Sequence, residues 1–245
     1  MQIKDYQIAV LGIFLALGSV CSAYVLSEAV IKFQKMQTQT IRATGSASRN
    51  ITSDRASWSF QVKTQKPSLK EGYAKINADT KKACDFLISN GIDEKDIETA
   101  SVNSYENYRR TPNGSMTNDI ESYNLYRYIK VKSNDIKKIT EISKQADKLA
   151  AEDIIISSDN VEYYVSNLDE LKVEMAGEAA KNAQRRAESI IAGTNGQIGV
   201  MTNAKLGVFQ IVPADSTEVS DYGINDTSSI EKKITASVSA SFTVK

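Results

Sequence analysis

The sequence contains no histidine and only two cysteines among its 245 residues, and these absences exclude several kinds of chemistry. Without histidine there is no Ser-His-Asp triad, no histidine proton shuttle and no histidine-containing metal site. Cys21 lies inside a hydrophobic segment, so the rest of the chain holds one thiol, Cys84, and cannot form an internal disulfide. We interpret Cys84 as a small buried hydrophobe. We predict no metal, no cofactor, no catalytic residue and no enzymatic activity; an enzyme is the alternative, and without histidine it would need carboxylate, lysine or tyrosine chemistry.

An excess of charge of either sign is also lacking, because 30 basic residues balance 30 acidic ones. The chain nevertheless interleaves aromatic and basic residues, a pattern that can bind single-stranded nucleic acid by stacking and phosphate contact. These residues are Tyr105, Tyr108, Tyr126 and Tyr128 with Arg109, Arg110, Lys130 and Lys132. The alternative is an amphipathic hairpin whose tyrosines cover a sheet face or a subunit contact. Given the neutral balance, we favour the hairpin and predict no nucleic-acid partner.

Long hydrophobic runs are rare here, and the one that stands out begins near the N-terminus. Residues 6–27 carry no charge, and residues 8–26 would reach roughly 28 Å as a helix, close to the hydrocarbon thickness of a bilayer. The segment predicts a retained signal anchor, because the apolar region of a cleaved signal peptide is usually shorter. The proposed membrane-facing residues are Ile8, Leu11, Ile13, Phe14, Leu15, Leu17, Val20, Val25 and Leu26.

Two alternatives to a retained anchor stay open, and charge does not fix its orientation. A cleaved signal peptide would use the poor small-residue site at Ser27 to Ala29, and a buried helix of a soluble domain is the third reading. Lys4 is opposed by Asp5 on one side, whereas Lys32, Lys35 and Arg42 lie on the other. The positive-inside rule thus leans slightly towards a cytoplasmic domain.

Hydrophobic alternation and capping residues divide the rest of the chain into strands and helices. Ala56, Trp58, Phe60 and Val62 alternate with polar residues, as in a half-buried strand. Ser68 to Glu71 is a capping box that begins a helix. The predicted strands span 40–49, 54–66, 97–110, 120–133, 154–165, 199–212 and 232–244, and the predicted helices span 69–90, 135–151 and 168–192.

Seven strands and three helices in mixed order predict an α+β fold with a mixed or antiparallel sheet, preceded by one N-terminal transmembrane helix. We assign residues 1–35 to the anchor and spacer, and residues 36–245 to one α+β domain. The third domain helix carries a seam of small residues between Val173 and Ile190: Ala176, Ala180, Ala183 and Ala187. Small residues let another backbone approach closely, and that neighbour is the sheet, another helix or another subunit. The acidic loop over 213–230 lacks the spacing of an EF-hand, so we read it as a solvated loop.

Several segments occur in an order that resembles a known family. They are Ile41-Arg-Ala-Thr-Gly45-Ser-Ala-Ser, Ser53-Asp54-Arg55-Ala56, Leu87-Ile-Ser-Asn-Gly91-Ile92, Asp96-Ile-Glu-Thr99 followed by Tyr105, the strand from Tyr123 to Val131, Ala179-Ala-Lys-Asn-Ala183-Gln-Arg-Arg-Ala187-Glu, and the last strand. Together they resemble the SIMPL-domain family of bacterial envelope proteins over about residues 40–245. The sequence departs from the family pattern at Ser53, where proline is frequent, at Asn182, where aspartate is usual, and directly after Tyr123.

The resemblance implies an extracytoplasmic domain that forms homo-oligomers, often ring-like, without established enzymatic activity; some members are linked to envelope or oxidative stress. We therefore expect a single-pass protein of the bacterial inner membrane with its domain in the periplasm, or, if cleaved, a soluble periplasmic protein. Its expected partners are further copies of itself and, through the first helix, the lipid bilayer. The alternative function is a binding module for a peptide, a lipid or a small ligand.

Overall fold

The computed structural model describes residues 2–38, 40–194 and 196–244, and within these ranges the chain forms four α-helices and eleven β-strands. The helices are α1 (Gln2–Thr38), α2 (Leu69–Ser89), α3 (Ile136–Lys144) and α4 (Leu168–Ala192). The strands are β1 (Thr40–Thr52), β2 (Arg55–Lys66), β3 (Ile97–Thr99), β4 (Asn103–Arg110), β5 (Met116–Ser133), β6 (Ile155–Ser158), β7 (Glu162–Tyr164), β8 (Ile198–Leu206), β9 (Gln210–Pro213), β10 (Ile224–Asn225) and β11 (Glu231–Val244). The predicted α+β class is confirmed.

Helix α1 contains the hydrophobic segment, and none of its described side chains in Val10–Gln34 is buried inside the protein. Its stretch Val10–Gln34 is long and apolar enough to cross a membrane by length and composition. The anchor residues whose side chains the structure describes are all exposed: Leu11, Ile13, Phe14, Leu15, Leu17, Val20, Val25 and Leu26. The side chain of Ile8 lies outside the described residues.

The chain divides into two compact units that interleave along the sequence. One unit comprises 1–48, 172–209 and 235–245, and the other comprises 49–171 and 210–234. Three of the boundaries therefore fall within β1, α4 and β11, and the fourth lies directly before β9. The assignment of residues 36–245 to one domain stays a prediction.

The unit formed by 49–171 and 210–234 is built on a six-stranded sheet. Its strand order is β3-β5-β2-β6, with β4 also paired to β5 and β7 also paired to β2. The long central pair, β2 and β5, is antiparallel and joins Ala56 to Ser133 at one end and Lys66 to Tyr123 at the other. Helices α2 and α3 pack on the face that carries Trp58, Phe60 and Val62, where these side chains are fully buried with Ile76, Leu87 and Ile139.

The helix ends in this unit follow from their capping residues. The Ser68 hydroxyl accepts a hydrogen bond from the Glu71 backbone N–H at 3.3 Å, as the capping box predicts. Gly91 follows the helix with a φ of +84°, a conformation that favours glycine. The Asp135 carboxylate caps α3 by accepting from the Lys138 N–H at 3.0 Å.

The other unit packs α4 against β1. Strand β1 is next to β11 in a five-stranded sheet of order β1-β11-β9-β10, in which β8 also pairs with β11. Of these strands, β9, β10 and the start of β11 belong to the unit formed by 49–171 and 210–234. Every second residue of β11 from Lys232 to Phe242 is buried, whereas Val244 is half-buried. This alternation is the pattern predicted for the last strand.

Several predicted elements are interrupted in the structure, so the sheets hold more and shorter strands than the seven expected. The strand predicted over 97–110 forms β3 and β4, that over 154–165 forms β6 and β7, and that over 199–212 forms β8 and β9. The helix predicted over 135–151 ends at Lys144 and continues as a 3-10 helix, Ala146–Glu152. Asp153 then adopts a left-handed conformation with a φ of 61°.

The buried face of α4 differs in phase from the predicted seam. Ala183 and Ala187 are fully buried, but they are joined by Met175 and Ala179 at steps of four residues. Ala176 and Ala180 flank this face and are half-buried. Placing Val173 and Ile190 on the seam was wrong, because both side chains are mostly exposed.

Candidate functional site

Cysteine and carboxylate side chains do not form a metal-binding cluster in the ranges that the structure describes. No group of three or more cysteine, aspartate and glutamate side chains there could hold a metal ion. Cys84 is half-buried, and burial raises the pKa of its thiol, with Asp85 raising it further. A raised pKa leaves little thiolate at neutral pH, so this thiol is not activated as a nucleophile.

The acidic loop contains one strongly organised carboxylate, Asp226. It accepts hydrogen bonds from the hydroxyls of Ser228 and Ser229, and Lys232 Nζ lies 3.3 Å from its Oδ2. Burial alone would raise the pKa of Asp226, but these hydrogen bonds and the lysine charge outweigh it and hold the pKa well below its usual range. Lys232 also donates to the Asp226 carbonyl at 2.5 Å. The arrangement is a buried ion pair that holds the loop onto β11.

The predicted tyrosine-rich hairpin places three of its rings on one face of the six-stranded sheet. Tyr126 packs edge-on against Tyr105 at 6.4 Å and against Tyr128 at 6.0 Å between ring centroids. Tyr128 accepts a hydrogen bond from the Gln61 side chain at 2.6 Å. Lys130 and Lys132 follow on the same face of β5. This face is opposite to the one that packs on the helices.

The remaining members of the predicted cluster lie apart from these rings. The Tyr108 hydroxyl donates to Glu106 at 2.5 Å, and this bond raises the pKa of Tyr108. Arg109 and Arg110 are exposed near the hairpin loop, where Arg110 donates to the Gly114 carbonyl. The structure thus brings together three tyrosines in edge-on contact and two lysines, but neither Tyr108 nor the two arginines.

Strand β8 is an edge strand with exposed apolar side chains. Among the described strands it pairs only with β11, and all of its residues from Val200 to Leu206 are exposed. Val200 is 71% exposed, and Met201 and Leu206 are also large exposed apolar residues. Successive strand residues point to opposite faces, so Val200 and Met201 expose apolar surface on both sides of the strand. Its sequence gives no sign of this exposure, because 199–212 reads as an ordinary strand.

Two of the segments that carry the family resemblance meet between β1 and α4. A Cβ on Gly45 would lie 2.1 Å from the Ala183 nitrogen and 2.3 Å from the Ala179 oxygen. Beside this contact, the Ser46 N–H donates to Asn182 Oδ1 at 3.1 Å, and Arg186 donates to the Thr44 carbonyl at 3.0 Å. These segments therefore make a close strand–helix contact, and their residue types follow from packing.

A third resembling segment, Ser53 to Ala56, holds the chain that follows β7. Asp54 accepts from the Ser166 N–H at 2.8 Å and from the Ser166 hydroxyl. Burial would raise the pKa of Asp54, but the hydrogen bonds from Ser166 dominate and lower it.

The sequence analysis did not single out the buried Lys232. It lies on the same face of β11 as the buried residues Ile234 and Ala236, and this alternation could have predicted its burial.

Comparison with known proteins gives two results. The model of the SIMPL family, described as "Protein of unknown function (DUF541)", matches residues 41–242. The chain is also similar to "Uncharacterized protein YggE" of Edwardsiella ictaluri (strain 93-146), with 24% identity over 175 residues, which cover 71% of this chain and 71% of that protein. The family match includes both segments that meet between β1 and α4.

Proposed function

This chain belongs to the SIMPL family, and from that premise we propose that it is a membrane-attached, non-enzymatic module of the bacterial envelope that assembles into homo-oligomers. Its role is structural: α1 fixes each copy in the inner membrane, the folded units lie in the periplasm, and the units of several copies associate, as in a ring. The observation that carries the proposal is the exposed apolar edge of β8.

An exposed, apolar edge strand is the surface that a second chain can extend by pairing. Soluble monomers usually protect such an edge with short strands, lysine, proline or a covering loop. Strand β8 has nine residues, and Lys205 is its only charged residue. Pairing with another chain would satisfy its free backbone groups and place cross-strand side chains beside Val200 on one face and Met201 on the other. When one surface of a copy binds a different surface of the next copy, the assembly closes into a ring if the rotation between successive copies adds up to a full turn.

Membrane attachment is supported by the length of α1. Its 25-residue apolar stretch would extend roughly 38 Å as a helix, more than the roughly 30 Å hydrocarbon core. The periplasmic location comes from the family resemblance, since the flanking charges lean slightly the other way. Copies that share a membrane are held at high local concentration, and this favours association of their folded units.

The oligomer is tested on the full chain in detergent by size-exclusion chromatography with light scattering. We expect the mass of the wild-type protein to be at least twice the 26.9 kDa mass of one chain. Val200→Lys adds a charge to the edge and should move the protein to a lower mass at the same concentration. Val219→Lys is the matched control, because Val219 is 77% exposed in a loop and its replacement should leave the mass unchanged. A wild-type monomer at all concentrations would refute self-assembly; an oligomer that is insensitive to Val200→Lys would refute the role of β8.

Orientation is tested separately with an engineered thiol. Tyr222 is 96% exposed, so Tyr222→Cys in a chain with Cys21 and Cys84 replaced by serine gives one accessible label site. A membrane-impermeant maleimide should label it in intact spheroplasts. Labelling only after lysis would place the domain in the cytoplasm. The mass of the protein extracted from the membrane shows whether the first segment is retained.

A further inference from the structure

A pocket with basic and hydroxyl side chains lies on the face of the six-stranded sheet opposite to the helices. Its volume is about 320 Å³. Val165 supplies apolar surface, Ala56 contributes as part of strand β2, and the polar lining comes from Arg55, Ser57, Lys130, Lys132, Tyr164 and Ser166. No carboxylate is part of this lining.

Strand register explains why these residues meet. Ser57 is directly opposite Lys132 of β5 on one side and Glu162 of β7 on the other. Arg55 is opposite Tyr164, and Lys130, which is opposite Ser59, lies diagonally from Ser57. Opposite and diagonal neighbours on one sheet face are within reach of long side chains. The three cationic groups therefore surround Ser57.

The Ser57 hydroxyl is the unusual group in the pocket. The residue is 4% exposed, and its Oγ has no hydrogen-bond partner within the described structure. A buried hydroxyl without a partner is unfavourable, and native proteins rarely retain one without a reason. A ligand atom that accepts this hydrogen bond would satisfy it.

The nearby carboxylates are already engaged by other groups. Glu98 accepts from Lys132 Nζ at 2.7 Å and is opposite Lys130 in register. Asp54 accepts from Ser166, and Glu162 accepts from the Tyr164 hydroxyl at 2.7 Å. Glu98 offsets the charge of Lys132 and Asp54 offsets that of Arg55, so the pocket suits an anion with a single charge better than a dianion.

We propose that this pocket binds a monocarboxylate, whose oxygens accept hydrogen bonds from Ser57 and Lys130 while the Arg55 guanidinium faces the same group. The apolar remainder of the ligand packs on Val165 and the ring of Tyr164. Both a small organic acid and the carboxyl end of a peptide carry this chemistry. The site does not depend on self-assembly, because all of its residues belong to one copy.

The test uses the full chain in detergent and 4-fluorobenzoate as the probe, observed by fluorine NMR against protein-free micelles. We expect saturable binding of the acid and none of 4-fluorobenzamide, which has the same ring without the charge. Lys130→Gln should raise the Kd roughly tenfold, the effect of losing one hydrogen bond to a charged group. Lys63→Gln is the matched control, since Lys63 is on the same face of β2 outside this pocket and should leave the Kd unchanged.

The Ser57→Ala variant distinguishes an effect on ligand binding from an effect on folding stability. Removing an unpartnered hydroxyl should leave the unfolding temperature unchanged or higher, yet it should raise the Kd at least threefold. Competition by N-acetyl-trialanine with a free carboxyl end would identify a peptide end as a source of the carboxylate, and binding of the aryl acid alone would identify a small acid. Equal binding of the amide, equal Kd values for Lys130→Gln and the wild type, or binding of neither acid would overturn the proposal.

Discussion

Replacing Gly45 with alanine should destabilise the unit that contains α4, because β1 and α4 leave no room for a side chain at this position. The new Cβ would lie 2.1 Å from the Ala183 nitrogen, 2.3 Å from the Ala179 oxygen and 2.7 Å from the Ala183 Cα. Uncrowded carbon contacts are about 3.5–4.0 Å. All three neighbours are backbone atoms, so a rotamer change cannot relieve the overlap, and strand and helix must separate by about 1 Å.

The size of the effect follows from that separation. Adding volume to a packed core typically costs about 1–3 kcal/mol, and a clash against backbone belongs at the upper end. For a protein of this size, about 3 kcal/mol lowers the Tm by roughly 6–12 °C. Separation of α4 from β1 would also lengthen the hydrogen bonds from Ser46 to Asn182 and from Arg186 to Thr44.

The measurement is thermal unfolding of the full chain in detergent, followed by circular dichroism, with Gly177→Ala as the control. Gly177 lies within α4, and a Cβ there meets no atom within 4 Å. Because alanine favours helix over glycine, this variant should be about 0.5–1 kcal/mol more stable. An unchanged Tm for Gly45→Ala would refute the close contact. Ala183→Gly should not rescue the first variant, since the overlap involves the nitrogen and Cα of Ala183.

The remaining predictions concern the buried ion pair in the acidic loop. Lys232 is 2% exposed, so Lys232→Met should leave the Asp226 charge poorly compensated. We expect the free energy of unfolding, measured by urea titration, to fall by about 3–5 kcal/mol. The control Lys233→Met loses one hydrogen bond to the Ser216 carbonyl and should lower the free energy of unfolding by about 1 kcal/mol. Because the pKa of Asp226 is lowered on folding, its ionised form stabilises the protein above about pH 4 and this contribution is lost as the pH falls below that value. The stability difference between the wild type and Asp226→Asn should therefore be full at pH 6 and shrink below pH 4; a difference independent of pH would contradict this assignment. Asp54→Asn should show the same trend, since the pKa of Asp54 is also lowered.

Local signals in the sequence predicted much of the fold. Helix α4 begins and ends at the predicted residues, Leu168 and Ala192, and Gly193 follows it directly. The alternation in β2 correctly predicted the burial of Ala56, Trp58, Phe60 and Val62, and that in β11 correctly predicted the burial of alternate residues from Ile234 to Phe242. It placed Ser57 on the outward face, although this residue is buried. These features depend on periodicity and capping, which are properties of neighbouring residues.

Features that depend on distant partners were not predictable in the same way. The break between β6 and β7 occurs where the Asp159 N–H turns to the Ser59 carbonyl of another strand. The phase of the α4 seam is set by where Gly45 meets the helix, near Ala179 and Ala183, and the alanine pattern alone allowed several phases. The exposure of β8 and the lining of the pocket around Ser57 likewise follow from strand order and register.

The interleaving of the two units along the chain also bears on how the protein is made. Thr44 of β1 contacts Ser239 of β11 at 2.7 Å, although the two residues are 195 positions apart. Closing a loop of this length costs roughly 5 kcal/mol of chain entropy. At typical synthesis rates β1 emerges roughly 10–40 s before its partner strand. During that interval the backbone groups of β1 cannot pair with β11, so biogenesis includes a stage in which this strand waits without its partner.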